Sequence, residues 1–330
     1  MHEARRKHAT SVLDDGTLIV TGGQGNSGTQ LKSVESYSLS TGNWIPINDM
    51  IYTRFDHTSS KLKNGQIIVI GGYNDRGPMN TVELYNSTTG YWETLIQHMN
   101  FARSMHTTLI LPNGNVLVIG GVSTSGSLNN AELYDISAKT WENIGIMKHK
   151  RHYHTSSLLD NGIVLVTGGY NGSSVLNSAE LYNSLTQVWD STSNMIFSRR
   201  EHTASVLDNR KLLVTGGWSG NDPLNSAELY DPITRNWTTI RSMNDARREH
   251  TACKLPNGKV LVIGGRNNNI ALASVELYDP STGNWTYNGN LTNARYGHTS
   301  SIIHNTTVLV TGGVDSTGYS LDTSELYYLP

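Results

Sequence analysis

The stretch His154-Thr155-Ser156-Ser157-Leu158-Leu159-Asp160-Asn161-Gly162-Ile163-Val164-Leu165-Val166-Thr167-Gly168-Gly169 decides the fold. It reads as a short strand, a tight turn and a second strand that is apolar without alternation. A run of that kind suits a strand covered on both faces. The same phrase recurs along the chain. Glycine pairs stand at Gly22-Gly23, Gly71-Gly72, Gly120-Gly121, Gly168-Gly169, Gly216-Gly217, Gly264-Gly265 and Gly312-Gly313, spaced 48 or 49 residues apart. Each follows a histidine by 14 residues, from His8 to His298, and each histidine follows an arginine by three, from Arg5 to Arg295.

Working outward, a glutamate comes 11 or 12 residues after each pair, at Glu35, Glu83, Glu132, Glu180, Glu228, Glu276 and Glu325. A tyrosine follows two positions on, from Tyr37 to Tyr327. Six copies then carry a tryptophan seven residues later: Trp44, Trp92, Trp141, Trp189, Trp237 and Trp285. An internal repeat near 48 residues governs the whole chain, so length gives no reason to divide it. Each copy predicts four strands. Asn-Gly pairs such as Asn64-Gly65, Asn113-Gly114, Asn161-Gly162 and Asn257-Gly258 predict two-residue hairpin turns, and the glycine pair predicts a place where a Cβ would clash with neighbouring backbone or a large ring. The fold class is all-β: a seven-bladed β-propeller of four-stranded antiparallel blades. Residues 1–330 form a single domain, with blades opening near residues 5, 54, 103, 151, 199, 247 and 295.

The seventh copy reaches Tyr327-Tyr328-Leu329-Pro330 without its tryptophan strand, and Met1 has the phase of Met50, Met99, Met147, Met195 and Met243. Blade seven is therefore expected either to have three strands or to take its outer strand from a segment upstream. An open edge is normally managed, which favours an excerpt from a longer polypeptide.

Gly-Gly, then Tyr, then Trp seven residues on, in repeats near 50 residues, resembles the kelch family. The phrases HTSSLLDNGIVLVTGG and AELYDPSTGNW are similar to the galactose-oxidase-like branch. The resemblance implies a propeller that binds partners through its loops, and propellers host many unrelated functions. Galactose oxidase holds copper with two tyrosines and two histidines, one tyrosine being cross-linked to a cysteine. Here Cys253 is the single cysteine and stands where other copies carry Ser157, Ser205 and Ser301. Tyr153-His154 is similar to an adjacent ligand pair, yet His154 is the repeat histidine. No catalytic residue, metal or cofactor is implied.

Bulk properties exclude more than they identify. A net charge of −2 gives no pull towards nucleic acid or anionic membrane. One cysteine excludes an internal disulfide framework. Apolar runs of about four residues are far short of a membrane span. Six sequons, at Asn86, Asn171, Asn236, Asn284, Asn290 and Asn305, permit an extracellular setting, towards which the reading leans slightly; the compartment stays open.

Seven-fold repetition also assigns roles. The arginines and glutamates are expected to pair or to bind backbone at blade junctions, and the histidines and tyrosines to hydrogen-bond in the interior. The run Lys148-His149-Lys150-Arg151-His152-Tyr153-His154 reads as a solvated basic loop, with an anion or partner contact as the alternative.

If repetition is scaffold, departures from it mark function. The loop after each glycine pair and the loop before each Arg-x-x-His open on one face, and variation gathers there. The opposite turns are expected to be short and stereotyped. Candidate partner-binding residues are Tyr73, Arg76, Tyr170, Trp218 and Arg266 after the glycines, and Phe55, Tyr153, Arg200, Arg248 and Tyr296 between arginine and histidine. Aromatic and arginine side chains are the usual anchors of interfaces. The expected function is a non-catalytic protein- or peptide-binding module. The alternative is a carbohydrate-binding or carbohydrate-active propeller, with Tyr73, Tyr170 and Trp218 stacking on sugar rings beside Asn74, Asp75, Asn171 and Asp222. Asp56, Glu201 and Glu249 are the acids available to a catalytic version, each beside a basic or aromatic residue in sequence rather than another acid.

Overall fold

The phrase at 154–169 folds as two antiparallel strands, Thr155–Leu158 and Ile163–Thr167, with Thr155 opposite Thr167. Ala179–Asn183 and Val188–Ser191 complete the blade in sequential order. The computed structural model describes residues 1–304 and 307–328, so the sequon at Asn305 and the terminal Leu329-Pro330 lie outside the described residues. Six such four-stranded sheets and a seventh of three strands, ending in Ser324–Tyr328, stand around an axis with their first strands adjacent.

The second strands are the core. Val164, Leu165 and Val166 are wholly buried, as are Ile67–Ile70 and Val116–Ile119, because blades stack sheet on sheet. Burying each such side chain contributes about 1.5–3 kcal/mol. Tyrosine and tryptophan of the third and fourth strands stack within a blade, with ring centroids 4.9–5.1 Å apart. The expected hydrogen-bonding role for these tyrosines is corrected here. Among the described residues only the Tyr230 hydroxyl has a partner, Thr192 Oγ1 at 2.7 Å, and the buried Tyr182 hydroxyl has none.

The Asn-Gly turns also differ from expectation. The Leu62 amide donates to Gln66 O and the Gly65 amide to Leu62 O. Gly65 alone takes positive φ (+83°), while the Asn64 side chain accepts the Gln66 amide. These are three-residue hairpins with a left-handed glycine, not two-residue turns.

Arginine and glutamate do pair. Arg103 is fully buried, and its Nη1 donates to Gly120 O while its Nη2 donates to Glu132 Oε1, both at 2.6 Å. Glu132 also accepts the amides of Asn100 and Phe101, which lie where the chain enters from blade two. One carboxylate thus ties the third strand to the crossover, a satisfied network of the kind burial demands. Each repeat histidine reaches back to the preceding blade: His57 Nε2 lies 2.9 Å from Thr21 Oγ1, and His8 Nε2 lies 3.0 Å from Thr299 Oγ1 across the ring closure. The glycine pair makes room for both. A Cβ on Gly71, at φ +57°, would stand 2.6 Å from Arg103 O and 2.9 Å from His106 Cε1.

Candidate functional site

The two residues between each arginine and histidine build the central opening. The first of each pair extends the first strand past the glycines. Arg200, for example, exchanges two backbone hydrogen bonds with Trp218, at 3.1 and 2.8 Å. The second residue turns left-handed in every blade: Lys7, Asp56, Met105, Tyr153, Glu201, Glu249 and Gly297 have φ between +50° and +60°. That turn aims each amide at the carbonyl of the preceding blade's equivalent residue. Asp56 donates to Lys7 at 3.0 Å, Glu201 to Tyr153 at 3.1 Å, and Gly297 to Glu249 at 3.0 Å. The remaining four bonds, ending with Lys7 to Gly297 at 3.4 Å, close a collar of seven. Six of the seven residues are not glycine, and each such conformation costs about 1 kcal/mol or more.

The collar lines a cavity of about 670 Å3 that also reaches the repeat histidines His8, His202, His250 and His298. Three carboxylates reach it, from Asp56, Glu201 and Glu249. They are separate in sequence, and their expected isolation from one another is corrected by the ring, which brings them together. Burial, and for Glu201 the neighbouring Glu249 charge, pushes the carboxyls of Asp56 and Glu201 above the usual range. Each acid has a cation. Lys7 Nζ is 3.0 Å from Asp56 Oδ2, Arg248 Nη1 is 3.0 Å from Glu201 Oε2, and Arg266 bonds Glu249.

The guanidinium groups are held on a second side by aromatic rings. Arg248 lies over Trp218 at 4.3 Å, Arg266 over Tyr296 at 4.6 Å and Arg200 over Tyr170 at 4.9 Å. Phe55 and Tyr73 pair at 5.5 Å, with Lys7 over Phe55. Such stacking is worth about 0.5–2 kcal/mol per pair.

Of the ten candidates from sequence, Tyr153, Arg200, Arg248, Arg266 and Tyr296 line the cavity. Tyr170 and Trp218 stand behind it as ring partners, and their faces, expected to be open to sugar rings, carry arginines. Tyr73 is 38 % exposed at the rim. Arg76 is exposed at a loop tip, outside the cavity, with its amide on Asn74 Oδ1. Lys7, Asp56, Glu201 and Glu249 were absent from that set; Gly297, a glycine at the same repeat position, is the sequence mark of their left-handed backbone. The basic run from Lys148 is not a solvated loop. Only Lys148 and Lys150 are exposed, Arg151 and His154 are buried, and His152 is bonded to Ser127 Oγ, its imidazole driven down to about 4 by burial and Arg200.

Residues 1–169, 100–245 and 145–313 each match the family described as the KLHDC2/KLHL20/DRC7 Kelch-repeats domain. The chain belongs to the kelch-repeat family. No curated protein matches this kelch chain. Among solved structures it is similar to a novel fungal alcohol oxidase of the AA5 family in complex with copper, at 19 % identity and a TM-score of 0.82, over 99 % of this chain and 75 % of that one. At that identity the likeness is one of fold.

The residues that the galactose-oxidase resemblance would offer to copper, His154 and Cys253, do not fit that role. His154 Nε2 is engaged by Thr107 Oγ1 at 2.9 Å, behind the collar. Cys253 is buried within its strand, with Sγ 3.2 Å from Ser300 Oγ, and burial pushes its thiol up.

Proposed function

We propose that this kelch propeller is a non-catalytic binding module that takes up a protein or peptide segment over the collar face. The observation that carries the reading is the set of arginines held between carboxylate and aromatic ring around one cavity. Side chains fixed in this way lose little freedom on binding, and arginine and aromatic anchors are what interface centres use. The loops that bear them sit on a rigid frame, the usual arrangement for recognition. A carbohydrate reading, related to the fold likeness with the AA5 oxidase, retains one platform: Tyr73, exposed beside Asn74 and Asp75.

The test is a screen of the purified chain against a displayed peptide library and a glycan array, with Trp218→Ala and Arg266→Ala alongside. Peptide hits lost in either variant support the reading. Glycan hits lost in Tyr73→Ala favour the carbohydrate alternative, and hits indifferent to all three substitutions overturn both.

A further inference from the structure

On the face opposite the collar, the turns of blades four and five hold a second cavity, of about 450 Å3. Its apolar wall includes Leu159, Ile163, Leu181, Val188, Tyr230 and Ile233. The expectation of a stereotyped face fails at this seam. Ile163 occupies the repeat position of Thr17, Gln66, Asn115, Lys211 and Lys259. Val188 occupies that of Asn43, Thr140, Asn236 and Asn284, and Ile233 that of Ser40, Thr88, Ser137 and Ser281. The position of Ile233 is filled in blade four by Leu185, on the turn that supplies Thr186 and Val188 to the cavity. At the positions of Ile163 and Ile233 blades one, two, three and six carry polar residues, so folding does not require apolar ones there; at the position of Val188 three other blades carry asparagine, one threonine and blade two the exposed Tyr91.

Two of these side chains lie largely in water: Leu185 is 81 % and Ile233 90 % exposed. Apolar surface that continues beyond a cavity marks an interaction site more often than a structural need. Two ion pairs cross the seam from blade five to blade four, Arg210 Nε to Asp160 Oδ2 and Arg235 Nη1 to Asp190 Oδ2, both at 2.9 Å. Arg210 holds φ +66° where Gly16, Gly65, Gly114, Gly162 and Gly258 stand in other copies. A strained backbone thus places a charge beside the cavity that the other blades do without.

We propose that the seam between blades four and five is a second docking site, for a protein segment that inserts one bulky aliphatic or aromatic side chain between these two Arg–Asp pairs. The rim selects this occupant. Three cations, Arg210, Lys211 and Arg235, face three carboxylates, Asp160, Asp231 and Asp190, so no strongly charged ligand is favoured. Each exposed pair offers a carboxylate to a peptide N–H and a guanidinium to a peptide C=O on either side of the inserted residue. A small apolar molecule confined to the cavity would leave Leu185 and Ile233 in water, whereas a chain carrying the anchor covers them. An apolar centre with a polar rim is the usual anatomy of such contacts.

The experiment pans a random twelve-residue phage-displayed peptide library on the full chain, with counter-selection on Ile163→Lys/Val188→Asn/Ile233→Ser. Those residue types occupy the same positions in neighbouring blades, so the fold tolerates them; Val188→Asn alone serves if the triple variant melts early. The expected result is a consensus with one bulky apolar residue. A synthetic peptide of that consensus should bind the triple variant at least ten-fold more weakly and Trp218→Ala equally well, which separates this site from the collar face. The proposal is overturned by the absence of an apolar consensus, by equal binding to the triple variant or by loss in Trp218→Ala. It is also overturned if cyclohexanol saturates the methyl resonances of Ile163 and Val188 while no peptide is enriched, since the cavity then takes small molecules.

Discussion

The carbonyl oxygen of Arg5 accepts the amide of Gly313 at 2.9 Å, fastening the last blade to the first. Every other junction uses the same bond, from Gly23 to Arg54 at 2.8 Å through Gly265 to Arg295 at 2.8 Å. The ring is therefore closed by seven equivalent backbone contacts, each made possible by a residue without a side chain.

Gly120→Ala is expected to destabilise the protein by about 2–4 kcal/mol, combining left-handed backbone cost with overpacking. Its Cβ would meet Arg151 O at 2.6 Å and His154 Cε1 at 2.9 Å. Gly65→Ala, also at positive φ but with nothing within 4 Å, should cost only about 1–2 kcal/mol. Urea unfolding of the two variants checks the difference, and equal midpoints would show that the close approach is not what the glycine is for.

Arg103→Met should cost about 3–5 kcal/mol, because it leaves the Glu132 carboxylate buried against neutral donors alone. Glu132→Gln should cost a similar amount, since it leaves the buried Arg103 without a counter-charge and sets an amide NH2 against the Asn100 amide that Glu132 Oε2 accepts. Thermal melts of both check it. A small loss in either variant would mean that the ion pair does not hold this junction.

Acid should unfold the propeller early. Burial and the nearby arginine drive His8, His106 and His298 down to about 3, and the other four repeat histidines lie well below their ordinary value. An unfolded histidine titrates near about 6.5. Between those limits the unfolded chain binds more protons than the folded one, so stability falls as pH falls. Each histidine contributes up to about 1.4 kcal/mol per pH unit, and three together reach about 4, against a total stability of about 5–15 kcal/mol. The urea midpoint should therefore drop steeply from pH 6 to pH 4. A flat profile over that range sinks the account, and His298→Gln should flatten it measurably.

The fold was legible because the invariant offset from His154 to Gly168 reports one packing event repeated seven times. What escaped was whatever depends on closure. Asp56, Glu201 and Glu249 come from blades two, five and six, and sequence neighbours such as Phe55 and Arg248 say nothing about their meeting across an axis. The collar escaped because six of its left-handed residues have ordinary side chains, Gly297 excepted. The Asn64 turn departs from expectation because asparagine has two ways to serve a turn, and here its side chain caps Gln66 while its backbone stays right-handed. The seam between blades four and five was visible in principle, since Ile163 and Val188 break the repeat. Only the fold puts them on one wall.

Arg210→Gly is expected to stabilise the protein, and the reasoning sets two magnitudes against each other. At φ +66° a residue with a Cβ costs about 1–2 kcal/mol relative to glycine, the residue at the same turn position in five other copies. The Arg210–Asp160 pair that would be lost is exposed on both sides, at 76 % and 54 %, and such pairs contribute about 0–1 kcal/mol. Strain exceeds the ion pair, so the thermal midpoint should rise or hold, never fall. Glycine's greater freedom in the unfolded chain takes back part of the gain, which keeps the expected net near about 0.5 kcal/mol. A clear fall in midpoint would mean that Arg210 supports the seam of blades four and five structurally. A rise would mean that the chain keeps a destabilising arginine at the rim of that cavity for a reason other than folding.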